Sequence, residues 1–420
     1  MASVLMEFGR GLAKFEVPEG RFLGHVRPRE ATAVPDVGSA VRAAITNPIR
    51  GRPLVDLAAA ADKALVLTVD YTRPSPRELL EPVLATLAEQ SVETNVCIAG
   101  GRHRLMSDEE VLAHLGNDIC SAYPIMQHDS FDAGAHAELG TTPRGTPIRV
   151  DRAIFDCDLV IAVGFIEPTY LAGFSGARKM LMPGMAWHEA IDANHYLITD
   201  PNCRVGVLDG NPISEDMEDF ARELPLDFIV YSVVGPHDET TAVVAGNRDQ
   251  AHRAGCRLSG NIFRVRGPMA DIVISSAGGY PYDCDLVQGK KAIIPAHELV
   301  KPGGVIIIVA EAEEKWGAET TFVDWLRNYT PEEICKRVRD RAQFSLGAHG
   351  ARILARPVVE HGAQVIALVG KDFVDDLSET FVQATADPQE AMSWAMQRVG
   401  DAASIVAVHQ ARRLMVEAEQ

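Results

Sequence analysis

Short apolar runs that alternate with helix signals are the feature that most constrains how this chain can fold. The runs span residues 64–69, 94–99, 159–163, 272–276, 304–310, 364–369 and 404–408. Each run is strand-sized and almost wholly apolar, which is typical of strands buried on both faces of a parallel sheet. Because parallel strands require crossover connections, the pattern predicts an α/β fold with mainly parallel sheets flanked by helices.

Helix start signals lie between several of these runs. Ser75 and Ser107 each stand three residues before a glutamate, which is the spacing of a capping box. Thr330 and Asp387 are each followed by a proline, the residue that favours the first helical position. We expect the helix that begins after Ser107 to end at Gly116, since glycine commonly terminates helices.

The apolar runs fall into two groups, which indicates two domains. One group ends before about residue 240, and the other begins near Ile272. The segment 246–260 between them is polar and charged, and it predicts a helix that leads into a linker. We therefore expect one α/β domain over residues 1–262 and a second over residues 263–420.

Charge and cysteine content argue against several classes of protein. With 58 acidic and 40 basic residues the net charge is −18, so a broad basic face for nucleic acid is not expected. The 7 cysteines include no CxxC pair, which disfavours a disulfide framework or a thiolate zinc site. No apolar stretch reaches the roughly 20 residues of a membrane span, and the start does not resemble a signal peptide. We expect a cytoplasmic protein without nucleic-acid or membrane partners, in which local arginines and lysines hold any anionic substrate.

Polar side chains follow the first two runs at the point where ligands bind in open α/β sheets. Asp70 and Arg73 follow the first run, and His103 and Arg104 follow the second. Arginine can hold a carboxylate or phosphate through paired donors, and histidine can act as an acid or base near neutral pH. Surface ion pairs and a loop histidine bonded to backbone are the alternative interpretation of these residues.

The glycine-rich segment 172–184 is the most unusual stretch of the chain, and it carries Arg178 and Lys179. It does not match the phosphate loop GxxxxGK[ST], and no GxGxxG fingerprint follows any run. A lysine that is removed from water can attach a group covalently, whereas a solvated loop lysine has no such role. Residue types alone leave both possibilities open for Lys179.

Downstream residues do not by themselves predict a metal site. His188 and His195 are spaced to share one face of a helix, but they do not form an HExxH motif or part of a three-ligand cluster. We interpret the acidic residues that follow as a solvated stretch without a chemical role; they are Asp200, Asp209, Asp216 and Asp219.

Taken in order, these motifs resemble the nickel-pincer lactate racemase family of 2-hydroxyacid racemases and epimerases. The resemblance spans nearly the whole chain. It is carried by segments 7–9, 70–74, 101–104, 128–129, 173–176, 194–195, 210–212, 278–281 and 301–304, with Lys179, Pro183, Gly184, Asp283, Gln288 and Lys291. It implies two α/β domains with the active site in the interdomain cleft.

The resemblance also implies a cofactor, the nickel complex of pyridinium-3,5-bisthiocarboxylic acid mononucleotide. Lys179 occupies the position to which this nickel-pincer nucleotide is joined by a thioamide, and His195 occupies that of the fourth nickel ligand. A soft, nearly square-planar donor set suits nickel, and the cofactor brings most of the ligands itself. Further cofactor-binding positions are Asp70, Gly173, Ser175, Tyr280 and Gln288. Cofactor biosynthesis and insertion proteins are the implied partners.

The implied activity is that of an isomerase that moves the C2 hydride of a small-molecule 2-hydroxyacid anion, whether lactate-like, dicarboxylic or a sugar acid. His103 matches one of two proton-transfer histidines, and Arg73 and Lys291 match catalytic positions that hold the substrate. The chain departs from the family at Thr169, which occupies the position of the second histidine and is a poor base. The neighbouring Arg102, where the family often has threonine, favours a substrate with extra oxygens or a second carboxylate.

Thr169 leaves two alternatives open, and the residues leave a third. Glu167, Tyr170, His188 or water could take over from the second histidine in a racemase. An oxidoreductase or isomerase of hydroxyacids could use one-sided proton transfer on the same scaffold. A non-catalytic protein that binds an anion or mononucleotide is the third interpretation.

Overall fold

The computed structural model describes residues 2–317 and 319–419 of the chain, in which strands and helices alternate. The strands in chain order are β1 (Ala2–Phe8), β2 (Gly11–Val17), β3 (Phe22–Val26), β4 (Lys63–Thr68), β5 (Glu93–Ile98), β6 (Ile125–Gln127), β7 (His136–Thr141), β8 (Pro147–Asp151), β9 (Leu159–Ile166), β10 (Pro168–Thr169), β11 (Gly173–Phe174), β12 (Phe228–Val234), β13 (Thr240–Gly246), β14 (Arg264–Gly267), β15 (Ala270–Ser276), β16 (Val300–Val309), β17 (Gln364–Leu368), β18 (Gln383–Thr385), β19 (Ile405–Val408) and β20 (Met415–Ala418). Every apolar run named above forms a strand, so this part of the sequence prediction is confirmed.

The α-helices connect these strands. They are α1 (Val37–Thr46), α2 (Leu54–Ala58), α3 (Arg77–Glu89), α4 (Asp108–Leu115), α5 (Asn117–Ala122), α6 (His188–Tyr196), α7 (Pro212–Arg222), α8 (Gln250–Phe263), α9 (Leu286–Gly289), α10 (Ile293–Leu299), α11 (Thr320–Asn328), α12 (Pro331–Arg337), α13 (Ala348–His361), α14 (Val374–Ser378) and α15 (Pro388–Val399). In the part of the chain that the structure describes, no helix has the length and apolar character needed to cross a bilayer.

Most of the predicted helix starts are confirmed, and one is wrong. Ser107 and Thr330 form complete capping boxes, and the Asp387 side chain accepts from the backbone N–H of Gln389. Ser75 does not form the predicted capping box with Glu78: its hydroxyl donates to the carbonyl of His114 at 2.6 Å and accepts from the N–H of Arg77 at 3.4 Å. The capping residue of α3 is instead a proline, which has no side-chain hydrogen bond to offer.

The chain divides into two compact units. We call residues Glu30–Ile262 the central unit, and Met1–Arg29 together with Phe263–Gln420 the terminal unit. The sequence prediction places one boundary at the same point, between residues 262 and 263, but assigns residues 1–29 to the N-terminal domain. That assignment differs from the structure, in which these residues belong to the terminal unit.

The central unit is built around a sheet with the strand order β13-β12-β9-β4-β5-β6. Its strands are parallel except for β13, which is antiparallel to β12. Buried side chains of α1, α2 and α3 pack with residues of β4, β5, β9 and β12 in one apolar core. Because β9, β4 and β5 are neighbours, the loops that follow them emerge at the same edge of the sheet.

The terminal unit contains a parallel sheet with the strand order β18-β17-β16-β15-β19-β3. The hairpin of β1 and β2 packs alternate side chains, including Met6 and Phe15, into the same core as Ile272 and Ile307. Strand β3 pairs directly with β19. This packing and pairing explain why the first residues of the chain belong to the terminal unit.

Candidate active site

An aspartate–histidine pair forms where β4 and β5 end in the central unit. The Nδ1 atom of His103 lies 2.5 Å from Oδ2 of Asp70, whose other oxygen accepts from the backbone N–H and hydroxyl of Thr72. Asp70 is buried, whereas about half of the His103 side chain, 52%, is exposed. Burial alone would raise the pKa of Asp70, but the hydrogen bonds from His103 and Thr72 outweigh it and lower that pKa to about 2.

This pairing determines what His103 can do. An Nδ1–H that donates to the Asp70 carboxylate leaves Nε2 as the nitrogen with a free lone pair. Gly101 makes the turn possible, since its φ is +60° and a Cβ there would lie 3.2 Å from the carbonyl oxygen of Pro183. An imidazole oriented in this way can act as a general base.

Lys179 lies in a short 3-10 turn, Ala177–Met180, that follows the glycine-rich loop. Burial lowers the pKa of its amine to about 7, helped by the positive charges of Arg73 and Arg178 and opposed by Glu167. A lysine of this kind is largely neutral near pH 7.5 and is therefore nucleophilic. Lys179 is half-buried, so this environment favours a lysine shielded from water over a fully solvated loop lysine.

His195 lies near the end of α6 and is only 6% exposed. Burial, and then the charge of Lys179, lower the pKa of its imidazole to about 3, so the ring is neutral at physiological pH. Its Nδ1 atom is buried and has no hydrogen-bond partner among the described residues. A neutral imidazole with one ring nitrogen left unbonded is the form in which histidine binds metals.

Arg73 and Glu167 form an ion pair whose charges both act on Lys179. Nε of Arg73 and Oε1 of Glu167 are 3.2 Å apart. Glu167 follows β9, and Thr169 lies two residues further along the extended chain, so the two side chains share one face. The Thr169 hydroxyl is buried without a hydrogen-bond partner within residues 2–317 and 319–419. The position of the expected second histidine therefore contains a small hydroxyl group without a hydrogen-bond partner among the described residues.

The neighbours of His103 carry compensated charges. Arg102 pairs with Asp192 of α6, and its guanidinium lies 5.5 Å from the centre of the Phe131 ring. Arg104 donates twice to Glu110. This is the surface ion pair that was the alternative to a substrate-binding role for Arg104. The structure thus gives no support to Arg102 as an unpaired cation for a second substrate carboxylate.

Two predicted cofactor-binding residues hold the loop in place. The Ser175 hydroxyl donates to the carbonyl of Phe165 at 2.8 Å and accepts from the N–H of Glu167 at 2.9 Å. Gly173 has a φ of +77°, and a Cβ there would lie 2.1 Å from the carbonyl oxygen of Val207. Both residues shape the segment that presents Lys179.

The other predicted site residues lie in the terminal unit. Lys291 donates to the side-chain oxygen of Gln288, so these two residues are adjacent. Tyr280 follows β15 in the glycine-rich turn, where its ring is 43% exposed and 3.6 Å from the Arg10 guanidinium. The predicted residues therefore form two sets, with Gln288, Lys291 and Tyr280 in the terminal unit and the others in the central unit.

Comparison with known proteins identifies the family. Residues 8–206 match the model of the lactate racemase N-terminal domain, and residues 265–416 match that of the lactate racemase C-terminal domain. The chain belongs to the lactate racemase family. A lactate racemase from Thermoanaerobacterium thermosaccharolyticum is 31% identical over 414 residues, which is 96% of this chain and 97% of that protein. A lactate racemase from Lactiplantibacillus plantarum is 31% identical over 376 residues, or 88% of each chain.

Solved structures agree with this assignment to the lactate racemase family. The structure of the lactate racemase apoprotein from T. thermosaccharolyticum has a TM-score of 0.93 at 31% identity, covering 99% of this chain and 100% of its own. A Thermotoga maritima protein of 18% identity has a TM-score of 0.67, covers 91% of this chain and 97% of its own, and supports the fold alone.

Sequence reasoning missed two aspects of the site in this lactate racemase family member. It assigned Asp70 to cofactor binding and did not pair it with His103, although both were expected at one sheet edge. It also interpreted Asp216 as solvated, whereas its side chain is fully buried. The signal for Asp216 was available, because it lies on the same helical face as the apolar Ile213 and Phe220 of α7.

Proposed function

We propose that this protein is a 2-hydroxyacid racemase or epimerase that uses a nickel-pincer nucleotide attached to Lys179. The observation that carries the proposal is the combination, within one unit of a lactate racemase family member, of a lysine whose pKa is lowered by burial and a buried imidazole whose Nδ1 has no hydrogen-bond partner among the described residues. Lysines and histidines in surface loops do not normally have these properties. That the substrate is a 2-hydroxyacid, and that lactate is one of the acids used, are parts of this proposal.

The residues of the central unit fit the proposed group. Lys179 is sufficiently neutral near pH 7.5 for its amine to be acylated, and His195 offers a neutral nitrogen to a metal. When bound, the nickel-pincer nucleotide supplies a reversible acceptor for the C2 hydrogen of the substrate together with its electron pair. The protein must then bind the hydroxyacid, orient it and move the hydroxyl proton.

His103 is the group proposed to move that proton. Its Nε2 takes the proton of the substrate hydroxyl and returns it after the hydrogen at C2 has changed faces. The imidazolium that forms is stabilised by the adjacent Asp70 carboxylate, which lies 2.5 Å from Nδ1. Arg73 remains the predicted partner of the substrate carboxylate in this unit, and Glu167 holds its guanidinium in place.

The environment of Thr169 favours a second candidate function, one-sided proton transfer. Threonine does not ionise usefully near neutral pH, and its buried hydroxyl has no partner among the described residues. A hydroxyacid oxidoreductase or isomerase that deprotonates only one enantiomer efficiently would be consistent with this. The variant Thr169→His separates the two functions, because racemisation should become faster in a racemase that lacks its second base. No gain with either enantiomer would argue that the missing histidine is unimportant.

Mass and metal analysis tests the main proposal directly. The chain is produced together with the cofactor's biosynthetic proteins, and its intact mass, modified peptide and nickel content are measured. We expect added mass on Lys179 and a stoichiometric amount of nickel, both lost in Lys179→Ala. Lys290→Met is the matched control, because Lys290 is a second lysine whose pKa is lowered by burial, to about 8, but it lies in the terminal unit. Unchanged mass without nickel in the wild-type protein would overturn the proposal.

A further inference from the structure

Asp216 is a buried carboxylate in α7 that the proposed reaction does not use. Its side chain is 0% exposed. One oxygen accepts from the hydroxyl of Thr142 at 2.5 Å, and the other accepts from the hydroxyl of Thr146 at 2.7 Å and from Nδ2 of Asn194 at 2.8 Å. Three segments therefore meet at this carboxylate: the turn between β7 and β8, α6, and α7.

The contact with Asn194 connects Asp216 to the helix that carries His195. Asn194 is the residue before His195 in α6, is fully buried, and also donates to the carbonyl of Ile213 at 3.3 Å. Its amide must direct NH₂ at Asp216, since the reverse orientation would bring two oxygens together. Because a helix is rigid over one turn, fixing Asn194 also fixes the backbone from which the His195 ring extends.

A second contact holds α6 from the loop that carries His103. Asp192 pairs with Arg102, next to His103. The short helix is thus anchored at Asp192 and at Asn194, four and two residues before its last residue, Tyr196. Buried carboxylates are costly unless fully hydrogen-bonded, and here every contact is a donor to Asp216.

We infer that Asp216 is a positioning residue that, through its hydrogen bond with Asn194, holds α6 in the orientation from which His195 would bind nickel. The inference rests on the proposed function, since it assigns a purpose to the orientation of His195. It predicts that breaking the Asp216–Asn194 contact loosens α6 locally and weakens the hold on nickel. Outer groups that orient a metal ligand commonly change metal affinity by about 10- to 100-fold.

Nickel release from the loaded protein is the first test. Loaded wild type, Asp216→Asn and Asn194→Ala are mixed with a chromophoric chelator, and the first-order rate of nickel loss is recorded. We expect release to be about tenfold faster or more in both variants. Asp219→Asn is the matched control, because it makes the same change on α7 at a carboxylate that pairs with Arg222 and Arg144 instead. Its release rate should equal that of the wild type.

A double variant distinguishes positioning from general destabilisation. Asn194→Asp alone brings two carboxylates together, whereas Asn194→Asp combined with Asp216→Asn restores an amide-to-carboxylate hydrogen bond in the reverse sense. We expect the single variant to release nickel fastest and the combination to recover towards the wild-type rate. If release follows thermal stability across the whole set, without this recovery, the positioning role is wrong.

Hydrogen exchange of the cofactor-free protein gives a readout that does not depend on nickel. Asp216→Asn and Asn194→Ala should accelerate exchange of the α6 amides about tenfold, while Asp219→Asn leaves them unchanged. If the wild-type protein never loads nickel, the proposed function is refuted, but the exchange experiment can still be interpreted because it uses the cofactor-free protein. Equal α6 exchange in all four proteins would refute the inference even if the wild type loads fully.

Discussion

Replacing Asp70 by asparagine tests the proposed base most sharply, because the structure predicts how the new amide would orient. Oδ1 of Asp70 accepts from both the N–H and the hydroxyl of Thr72, so the asparagine oxygen should occupy that position. The NH₂ group then faces Nδ1 of His103. It would donate to Nδ1 and place the ring proton on Nε2, where a base cannot use it.

The size of the effect has two parts. The Asp70 pKa falls from 3.8 to about 2, so its contacts favour the charged carboxylate by roughly 2 kcal/mol at 1.36 kcal/mol per pKa unit. Only part of this preference comes from the contact with His103, so removing the carboxylate lowers turnover by weakening that contact. The unfavourable tautomer adds to that loss, and we expect a total reduction of about 10²- to 10⁴-fold.

The assay is racemisation of a 2-hydroxyacid, beginning with each enantiomer of lactate, followed by chiral separation. Rates are divided by nickel content, because Asp70 is also predicted to contribute to cofactor binding. Thr72→Val is the control, since it keeps the Asp70 charge and the Thr72 N–H, and it should lower turnover no more than about fivefold. Turnover of Asp70→Asn within about threefold of the wild type, at equal nickel content, would refute the assignment of His103 as an oriented base.

Three further predictions follow from the same region. Asp70→Asn should lower the free energy of unfolding by about 2 kcal/mol at pH 7; because the folded-state pKa is depressed, the difference from wild type should shrink as pH falls from about 4 to about 2 in urea titrations. Burial and then Arg73 lower the pKa of Lys179, so in the cofactor-free protein the rate of Lys179 acylation should rise with a midpoint near pH 7 instead of pH 10.5. In Arg73→Gln, peptide mass spectrometry should find this midpoint at a higher pH. Gly173→Ala should cost about 3 kcal/mol or more in unfolding free energy, because its Cβ would lie 2.1 Å from a carbonyl oxygen; Gly210→Ala, at a similar φ of +79° but in open space, should cost about 1 kcal/mol.

The central strands of both sheets were predictable from sequence because burial on both faces leaves long apolar runs. The strand Phe228–Val234 satisfies the same criterion and could have been recognised, since all of its residues are buried. Edge strands such as Ile125–Gln127 and Gln383–Thr385 are three residues long, which is too short to give a periodic signal. Strands β1 and β2 were not predicted, and the sheet on which they pack depends on residues hundreds of positions away.

The candidate site shows a similar limit. Residues that follow strands were predictable as site residues, because the ends of neighbouring parallel strands meet at one edge. The partners of those residues were not: Asp70 and His103 are 33 residues apart, and Asn194 and Asp216 are 22 apart. Burial of Lys179 and His195, which sets their chemistry, is a property of tertiary packing that neither side chain reveals alone.

The terminal unit is assembled from both ends of the chain, and this has a consequence for synthesis on the ribosome. In β3, Val26 pairs with Val408 of β19. The neighbouring His25 contacts His409, which lies 384 residues later in the sequence. At about 5–20 residues per second, the first three strands wait roughly 20 to 80 s for the partner strand to be made. During that time their edges and apolar side chains are available to chaperones or to other nascent chains. An expression fragment that retains residues 1–262 would keep these strands permanently without their sheet, so residues 30–262 are the better choice for isolating the central unit.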